Sequence, residues 1–413
     1  MSVHINYYKK ALMGSFWLDN RLLLLISAGA LVLRLLVLFT DGSRMFLGTD
    51  DDNYRETAET LLRSGILTYG GWKELTVFIM PGYPLLLAGI FWLVGSPSWL
   101  AARLFQAAVS VIGVWITFKL GFRLGGRRVG FLAAVFTAVY PPNLTAPCFL
   151  LTETVFTCLL LLSLLVFMRA EDSKNLRWYL VTGIVLALAT YFRPTSGLLP
   201  IVFGVFLILR GYSFRKAGVS VLVMGAVIGL CLTPWIVRNY IIYHEFIPFT
   251  VSGGNPFLRG TYVNDIIDER FPWVEGNRIL SDRAQMEYGE KRLITGFRNN
   301  FRVYLHWYTI GKFANFWGEP YYYKELTYLS GRWVDLFHRI MLLLGTGGVI
   351  AGLWRKGSRG VTLLFLLVSG YFTALHLVYL SAPRYSYPVV QLLIILAAYM
   401  VALPGISQPN DKR

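Results

Sequence analysis

The stretch "LGTDDDNYRETAETLLRSG" (Leu47 to Gly65) sets three consecutive aspartates, Asp50, Asp51 and Asp52, in a chain that is 55% hydrophobic and 15% charged. Carboxylates so placed have three uses: accepting a proton from an attacking hydroxyl, holding a hard cation, or starting a helix. Tyr54, Ala58, Leu61 and Leu62 recur at helical spacing after the acids, Arg55, Glu56, Glu59 and Arg63 take the opposite face, and Gly65 is a stop. Aspartate caps such a helix well and suits its dipole. One cap uses one carboxylate, however, and three adjacent like charges repel. No companion oxygen ligands are spaced with the cluster for a cation. The stretch alone leaves general-base chemistry and a solvated helix start both open.

A second acid, Glu153, lies in "YPPNLTAPCFLLTETVF" (140–156), near the start of an apolar helix. A carboxylate at membrane depth is costly and points to function by default; the bland alternative is that it snorkels to the surface or caps the helix through Thr152. Arg193 in "YFRPTSG", Arg238 in "TPWIVRNY" and Arg384 in "SAPRYSYP" fall at helix ends on the same side, and Arg103 opens the helix after the acidic loop. Any one of them can anchor to lipid headgroups. Four facing the carboxylates suit an anionic ligand such as a phosphate. Arg34, inside the first apolar run, needs an internal partner. Cys148, Cys158 and Cys231 have no paired metal-ligand spacing and read as small buried residues.

The elements that must position these groups follow from hydropathy and charge. Several apolar runs approach the roughly 20 residues that cross a bilayer, so the chain reads as a polytopic helical membrane protein. Its net charge of +16 resides mostly in short loops and is read as topology rather than nucleic-acid binding. Lys9/Lys10/Arg21, "KLGFRLGGRR", "RAEDSKNLR", "RGYSFRK", "WRKGSRG" and Lys412/Arg413 are the basic places. The long first run reads as a retained signal anchor. Setting all six places inside predicts ten crossings, at about 21–39, 99–120, 129–147, 151–168, 178–195, 197–210, 217–237, 333–354, 361–380 and 386–403. Residues 80–95, about 22 Å from Pro81 to Gly95 as a helix, are too short to cross and read as re-entrant or surface-lying. The first outer loop is then 40–98, with juxtamembrane helices near 52–65 and 80–95. Residues 1–237 form a transmembrane module. Residues 238–332 form an aromatic-rich outer-face domain with an amphipathic helix in the interface, and 333–413 hold the last transmembrane helices.

The ordered pieces Asp50-x-x-x-Tyr54, "PGYPLLLAG", "RLFQ", "GGRRVGFLAAVFTAVYP", "LLTETVF", "TPWIVRNYIIYHEFIPFTVSGGN" and "APRYSYPVVQLLIILAAY" run from about residue 45 to 400. In them the chain resembles the GT-C superfamily of membrane glycosyltransferases, in particular bacterial relatives of protein O-mannosyltransferases and of the lipid A aminoarabinose transferase. The resemblance implies two juxtamembrane helices over an active site at the outer face, and a sugar donor on a polyprenyl phosphate. By this similarity Asp50 is the catalytic base of the first outer loop and Glu153 the acidic position of the second. The aminoarabinose transferase pattern has a Glu-Lys pair where this chain has Ile79-Met80 before Pro81. That departure sets aside that enzyme's donor and metal site, and protein O-mannosyltransferase acceptor motifs are not evident.

The expectation is an all-α, GT-C-like integral-membrane glycosyltransferase, inverting, of the bacterial inner membrane with its site on the outer face. Asp50 and Glu153 would be catalytic. Arg193 and Arg238, with Arg103, Lys312 and Arg384 as further candidates, would hold the phosphate. Asp51, Tyr54, Tyr83 and Tyr385 join them as binding residues. No cofactor is certain, and a divalent cation is left open. The partners expected are the lipid-linked donor, a glycan, lipid or protein acceptor, and membrane lipids. The alternative is a carrier of lipid-linked sugars, which should show broken midplane helices in two related halves; the charges instead gather at one face.

Overall fold

The computed structural model describes residues 2–70, 75–267 and 269–403. The side chains of Lys9 and Lys10, and residues Lys412 and Arg413, lie outside its described part. The chain forms α1 (Ser2–Asp41), α2 (Asp50–Ser64), α3 (Gly82–Val94), α4 (Trp99–Gly125), α5 (Arg127–Val139), α6 (Pro141–Thr145), α7 (Glu153–Ser173), α8 (Leu176–Phe192), α9 (Leu199–Leu209) and α10 (Phe214–Tyr243). There follow α11 (Gly254–Gly260), α12 (Arg278–Asn299), α13 (Phe301–His306), α14 (Lys312–Gly318), α15 (Gly331–Trp354), α16 (Lys356–Val378) and α17 (Pro383–Ala402). Among the described residues the only β pairing is an isolated bridge between Leu326 and Leu329.

Seven helices, α1, α4, α7, α10, α15, α16 and α17, are long and apolar enough to cross a membrane, and α5 with α6 makes a bent candidate. The chain is an integral membrane protein. Ten crossings are expected from the basic loops; among the described residues seven or eight segments are long enough to cross, and the expected spans near 178–195 and 197–210 are the shorter apolar helices α8 and Pro194–Leu209. One departs in shape: the span drawn as continuous over 129–147 bends by 62°. The cause is local. Pro141 and Pro142 have no N–H to give the carbonyls of Thr137 and Ala138 four residues back. Side chains supply the missing donors: Asn143 Nδ2 reaches Thr137 O at 2.9 Å and Arg34 Nη1 reaches Ala138 O at 3.2 Å. Arg34 also donates to Ser110 Oγ at 2.8 Å, so the arginine of the first span is spent on the break. Asn143 and Gln391 of α17 exchange amide hydrogen bonds of 3.0 and 2.9 Å, tying the break to the bundle's central helix.

α17 is central because it is buried nearly all round; 78% of its apolar window is inside the protein. Gly345 and Gly348 let α15 lie directly on it, since a Cβ at either would meet the backbone oxygens of Leu393 or Leu396 at 2.8 and 2.0 Å. The ends of the bundle differ in chemistry. At one, Arg123 pairs with Asp172 and Arg210 with Glu171, so several basic loops meet. At the other, 18 residues up α7 from Glu171, stand Glu153 and the acidic loop.

α3 is 13 residues long and closes at Gly95, whose φ is +76°. The motif "PGYP" docks it: a Cβ at Gly82 would sit 2.5 Å from Tyr191 O of α8, and Tyr83 is fully buried. The basic, aromatic stretch expected as one amphipathic helix is instead α12, α13 and α14, interrupted at Asn300 and carrying a π turn over Trp307–Gly311.

Candidate active site

The three aspartates begin α2, two residues ahead of the expected start, and part into three environments. Asp51 is fully buried, and its carboxylate accepts the backbone N–H groups of Leu47, Thr49 and Asp52 at 2.8, 3.2 and 3.1 Å. It does the work of the cap, since Thr49 makes no side-chain cap bond. Asp52 turns to Arg55, one turn on, at 2.8 and 3.0 Å. Asp50 faces the bundle. Its Oδ1 accepts the Tyr69 hydroxyl at 2.9 Å, its Oδ2 accepts Arg384 Nη1 at 2.6 Å, and its side chain stays 41% exposed.

Arg384, two residues into α17, reaches past Asp50 and bonds Glu153 through Nε. Glu153, at the first turn of α7, is fully buried and also accepts Arg193 Nη2 at 2.6 Å. Arg193 Nε donates to Thr152 Oγ1 at 3.0 Å, and its guanidinium lies 5.4 Å from the Tyr385 ring. The result is an alternating chain, Asp50–Arg384–Glu153–Arg193, built from four elements and balanced in charge. Burial of charges demands such pairing. The side chains of Arg193 and Arg384 remain 14 and 15% exposed, whereas Glu153 lies behind them.

Burial pushes the Asp50 carboxyl up, but the charge and hydrogen bond of Arg384, with the Tyr69 hydroxyl and the charge of Arg193, outweigh it and hold the group below the usual carboxylate range. Burial raises the Tyr69 phenol, with the neighbouring Tyr54 and Asp50 adding to the effect, so it stays a donor. The Tyr54 ring meets Tyr83 edge-on at 5.0 Å and Tyr69 at 5.4 Å, which fixes the wall beneath Asp50. A cleft of about 320 Å³ opens on Asp50 between α2 and the start of α12.

Of the residues singled out by sequence, the structure unites Asp50, Glu153, Arg193, Arg384, Tyr54, Tyr83 and Tyr385. It takes three others elsewhere, and all three bind backbone carbonyls. Arg103 donates to Met45 O at 2.6 Å and lies 5.0 Å from the Trp99 ring. Arg238 donates to Thr76 O at 2.8 Å. Lys312 is fully buried and donates to Leu377 O and Tyr379 O at 2.8 and 2.9 Å, closing the C-terminal end of α16. An arginine or lysine at a helix end carries no sequence mark separating these uses. Tyr69 and Gln285 were missed for the same reason, since each sits near Asp50 only through the fold, and Thr152, expected as a helix cap, makes no side-chain cap bond and instead accepts from Arg193. Among the described residues no three His, Cys, Asp or Glu gather as a metal would need.

The family model for dolichyl-phosphate-mannose-protein mannosyltransferases matches residues 80–237. The oligosaccharyltransferase of Archaeoglobus fulgidus in its apo form superimposes over 93% of this chain with a TM-score of 0.61 at 12% identity. The chain has the GT-C fold. The archaeal oligosaccharyltransferase AglB from Archaeoglobus fulgidus, in complex with an inhibitory peptide and a dolichol-phosphate, matches 94% of this chain with a TM-score of 0.60 at 13% identity. The chain covers 50% of the length of each of these. ArnT from Cupriavidus metallidurans, bound to undecaprenyl phosphate, is 17% identical over 92% of this chain and 78% of its own, with a TM-score of 0.48. No curated protein sequence matches the chain.

Proposed function

We propose that this GT-C protein is a glycosyltransferase that moves a sugar from a polyprenyl-phosphate donor to an acceptor hydroxyl, with inversion, at the outer face of a bacterial inner membrane. The observation that carries the reading is the division of labour between its acids: Asp50 faces an open cleft, while Glu153 is sealed behind two guanidinium groups. The dolichol-phosphate complex of the archaeal relative supports a lipid-phosphate donor. The gathering of basic loops at the far end supports an outer-face site.

In this reading the acceptor hydroxyl gives its proton to Asp50 as its oxygen bonds to the anomeric carbon. The bond from that carbon to the phosphate oxygen breaks, and the electron pair leaves on the phosphate. Arg384 and Arg193, held by their carboxylate partners and only 15 and 14% exposed, stabilise that charge. A single displacement from the opposite side inverts the centre. Arg384 has a double duty. In the resting site it holds Asp50 ionised but weakly basic; a bound phosphate takes a share of it, and Asp50 becomes a better base when a donor is present. Glu153 acts through the two arginines and is a positioning residue.

The test is transfer from a labelled polyprenyl-phosphate sugar by the purified protein in lipid nanodiscs. A positioned base contributes about 10²–10⁴-fold, so Asp50→Asn should lose that much turnover while still binding donor. Translocation of donor across liposomes without any transfer would make the protein a carrier instead.

A further inference from the structure

The Asp50 cleft has an opposite wall that belongs to none of the groups so far given a role. Asn53, Tyr69 and Phe78 line one side, and Trp273, Arg278 and Gln285 the other. The aromatic rings are arranged as surfaces: Tyr69 and Phe78 stack at 5.7 Å with 26° between their planes, and Trp273, across the cleft, is 58% exposed. Gln285 is buried, and its Nε2 donates to Pro272 O at 3.0 Å, which fixes how its amide faces the cleft. Arg278 lies 5.0 Å from the Phe78 ring and its Nη2 is 3.4 Å from Gly70 O. The approach is possible because residue 70 is glycine, where a Cβ would meet Nη2 at 2.8 Å. The cleft lining carries both signs of charge: Arg278, Asp282, whose Oδ1 accepts the Gly254 N–H at 2.7 Å, and Asp50, which is paired with Arg384.

Such a wall suits one kind of ligand. Flat apolar rings pack against the C–H faces of a pyranose, and side-chain amides offer donor and acceptor together to neighbouring hydroxyls. A cleft of 320 Å³ is at the small end of the roughly 300–1,000 Å³ typical of ligand pockets, enough for a sugar ring and its linkage. A charged sugar of either sign would meet a like charge in this lining, Arg278 or Asp50 and Asp282, whereas a neutral one meets none. Arg193 and Arg384 stand on the far, Glu153 side of Asp50, so the phosphate and the cleft ligand approach Asp50 from different directions.

We propose that this cleft seats the acceptor, and that the acceptor is a neutral saccharide whose hydroxyl is presented to Asp50 between Trp273 and the Tyr69–Phe78 pair. The assignment rests on the transferase reading, but its test does not require transfer. Saturation-transfer NMR on the full chain in nanodiscs would be run with methyl glucoside, methyl mannoside and methyl N-acetylglucosaminide, and with glucosamine, glucuronate and a Ser/Thr-containing peptide. The neutral glycosides should receive saturation, at least one of them strongly. The signal should drop about tenfold or more, equivalent to about 1.4 kcal/mol, in Trp273→Ala and Gln285→Ala and persist in Trp273→Phe. Thermal unfolding of each variant checks that it is folded. Peptide or charged sugar binding in preference to the glycosides, no glycoside binding at all, or glycoside binding indifferent to Trp273→Ala would each overturn the subsite. Glycoside binding without any transfer from a polyprenyl-phosphate donor would overturn the transferase reading and leave the subsite standing.

Discussion

At the scale of single residues, three neighbouring aspartates of identical chemistry are separated by what meets them. Asp51 satisfies three backbone donors, so Asp51→Asn, which turns an NH₂ toward N–H groups, should destabilise the α2 entrance by about 1–3 kcal/mol, read as a lower Tm. Asp50→Asn gives up the charge of its pair with Arg384, so it should lower Tm modestly while turnover falls by about 10²–10⁴-fold. Glu153→Gln leaves two buried guanidinium groups without their shared counter-charge. Breaking a buried pair costs about 3–5 kcal/mol, so this variant should lose activity and more Tm than Asp50→Asn, because Glu153 is fully buried and serves two arginines. The depressed Asp50 pKa also fixes a pH dependence. Its folded pKa lies below the ordinary value of about 3.9, so it contributes stability that is fully present above that value and lost as pH falls through the folded pKa. The acid limb of the transfer rate for free enzyme should therefore lie below the usual carboxylate range. In Arg384→Gln it should move up toward or past that range, since burial then acts without its main counterweight. An acid limb unmoved by Arg384→Gln would sever the link between this pair and the chemistry.

At the scale of elements, α3 lies against α8 through a backbone contact at Gly82, where Tyr191 O occupies the place of a Cβ, and meets α2 through the Tyr54–Tyr83 ring pair. Gly82→Ala must push the start of α3 off α8. Overpacking costs about 1–3 kcal/mol, and the shift passes through Tyr83 to Tyr54 and the wall beneath Asp50. A lowered Tm together with reduced turnover, but unchanged donor binding, is the expected pattern. Arg238 acts on the same loop from the other side. By holding Thr76 O it positions Phe78, so its removal should weaken the cleft wall more than it weakens phosphate binding. Comparing donor affinity with acceptor KM in Arg238→Ala distinguishes the two.

At the scale of the whole molecule, the bundle has a basic end and an end that carries the alternating acid–arginine chain. If the latter faces outward, the two ends of α3 share a side. In a variant lacking the three native cysteines, Ser64→Cys and Ser96→Cys, both at exposed positions, should react with an impermeant thiol reagent added outside intact cells. Ser173→Cys, at the other end of α7, should react only after the membrane is opened. Labelling of Ser64→Cys without Ser96→Cys would mean that α3 crosses and that every later segment is inverted.

The sequence by itself determined the all-α membrane architecture, because hydrophobic length and basic loops are one-dimensional properties that a bilayer reads directly. It also singled out Glu153, Arg193 and Arg384, since acids and arginines at the apolar ends of helices are too costly to be common, whereas Asp50 stood out from its two neighbours only through the resemblance in its spacing to Tyr54. It could not say which of five cations meets an acid. Arg103, Arg238 and Lys312 look the same in sequence as Arg193 and Arg384, and only the packing of α17 against α7 and α2 decides that two of them reach carboxylates while three close backbone carbonyls. The break between α5 and α6 was half legible: Pro141 and Pro142 announce lost donors, but that Arg34 and Asn143 replace them depends on contacts 104 and 6 residues away in sequence. The aromatic and amide wall opposite Asp50 carried no local signal, because its residues acquire a common purpose only where the start of α12 folds back over the first outer loop.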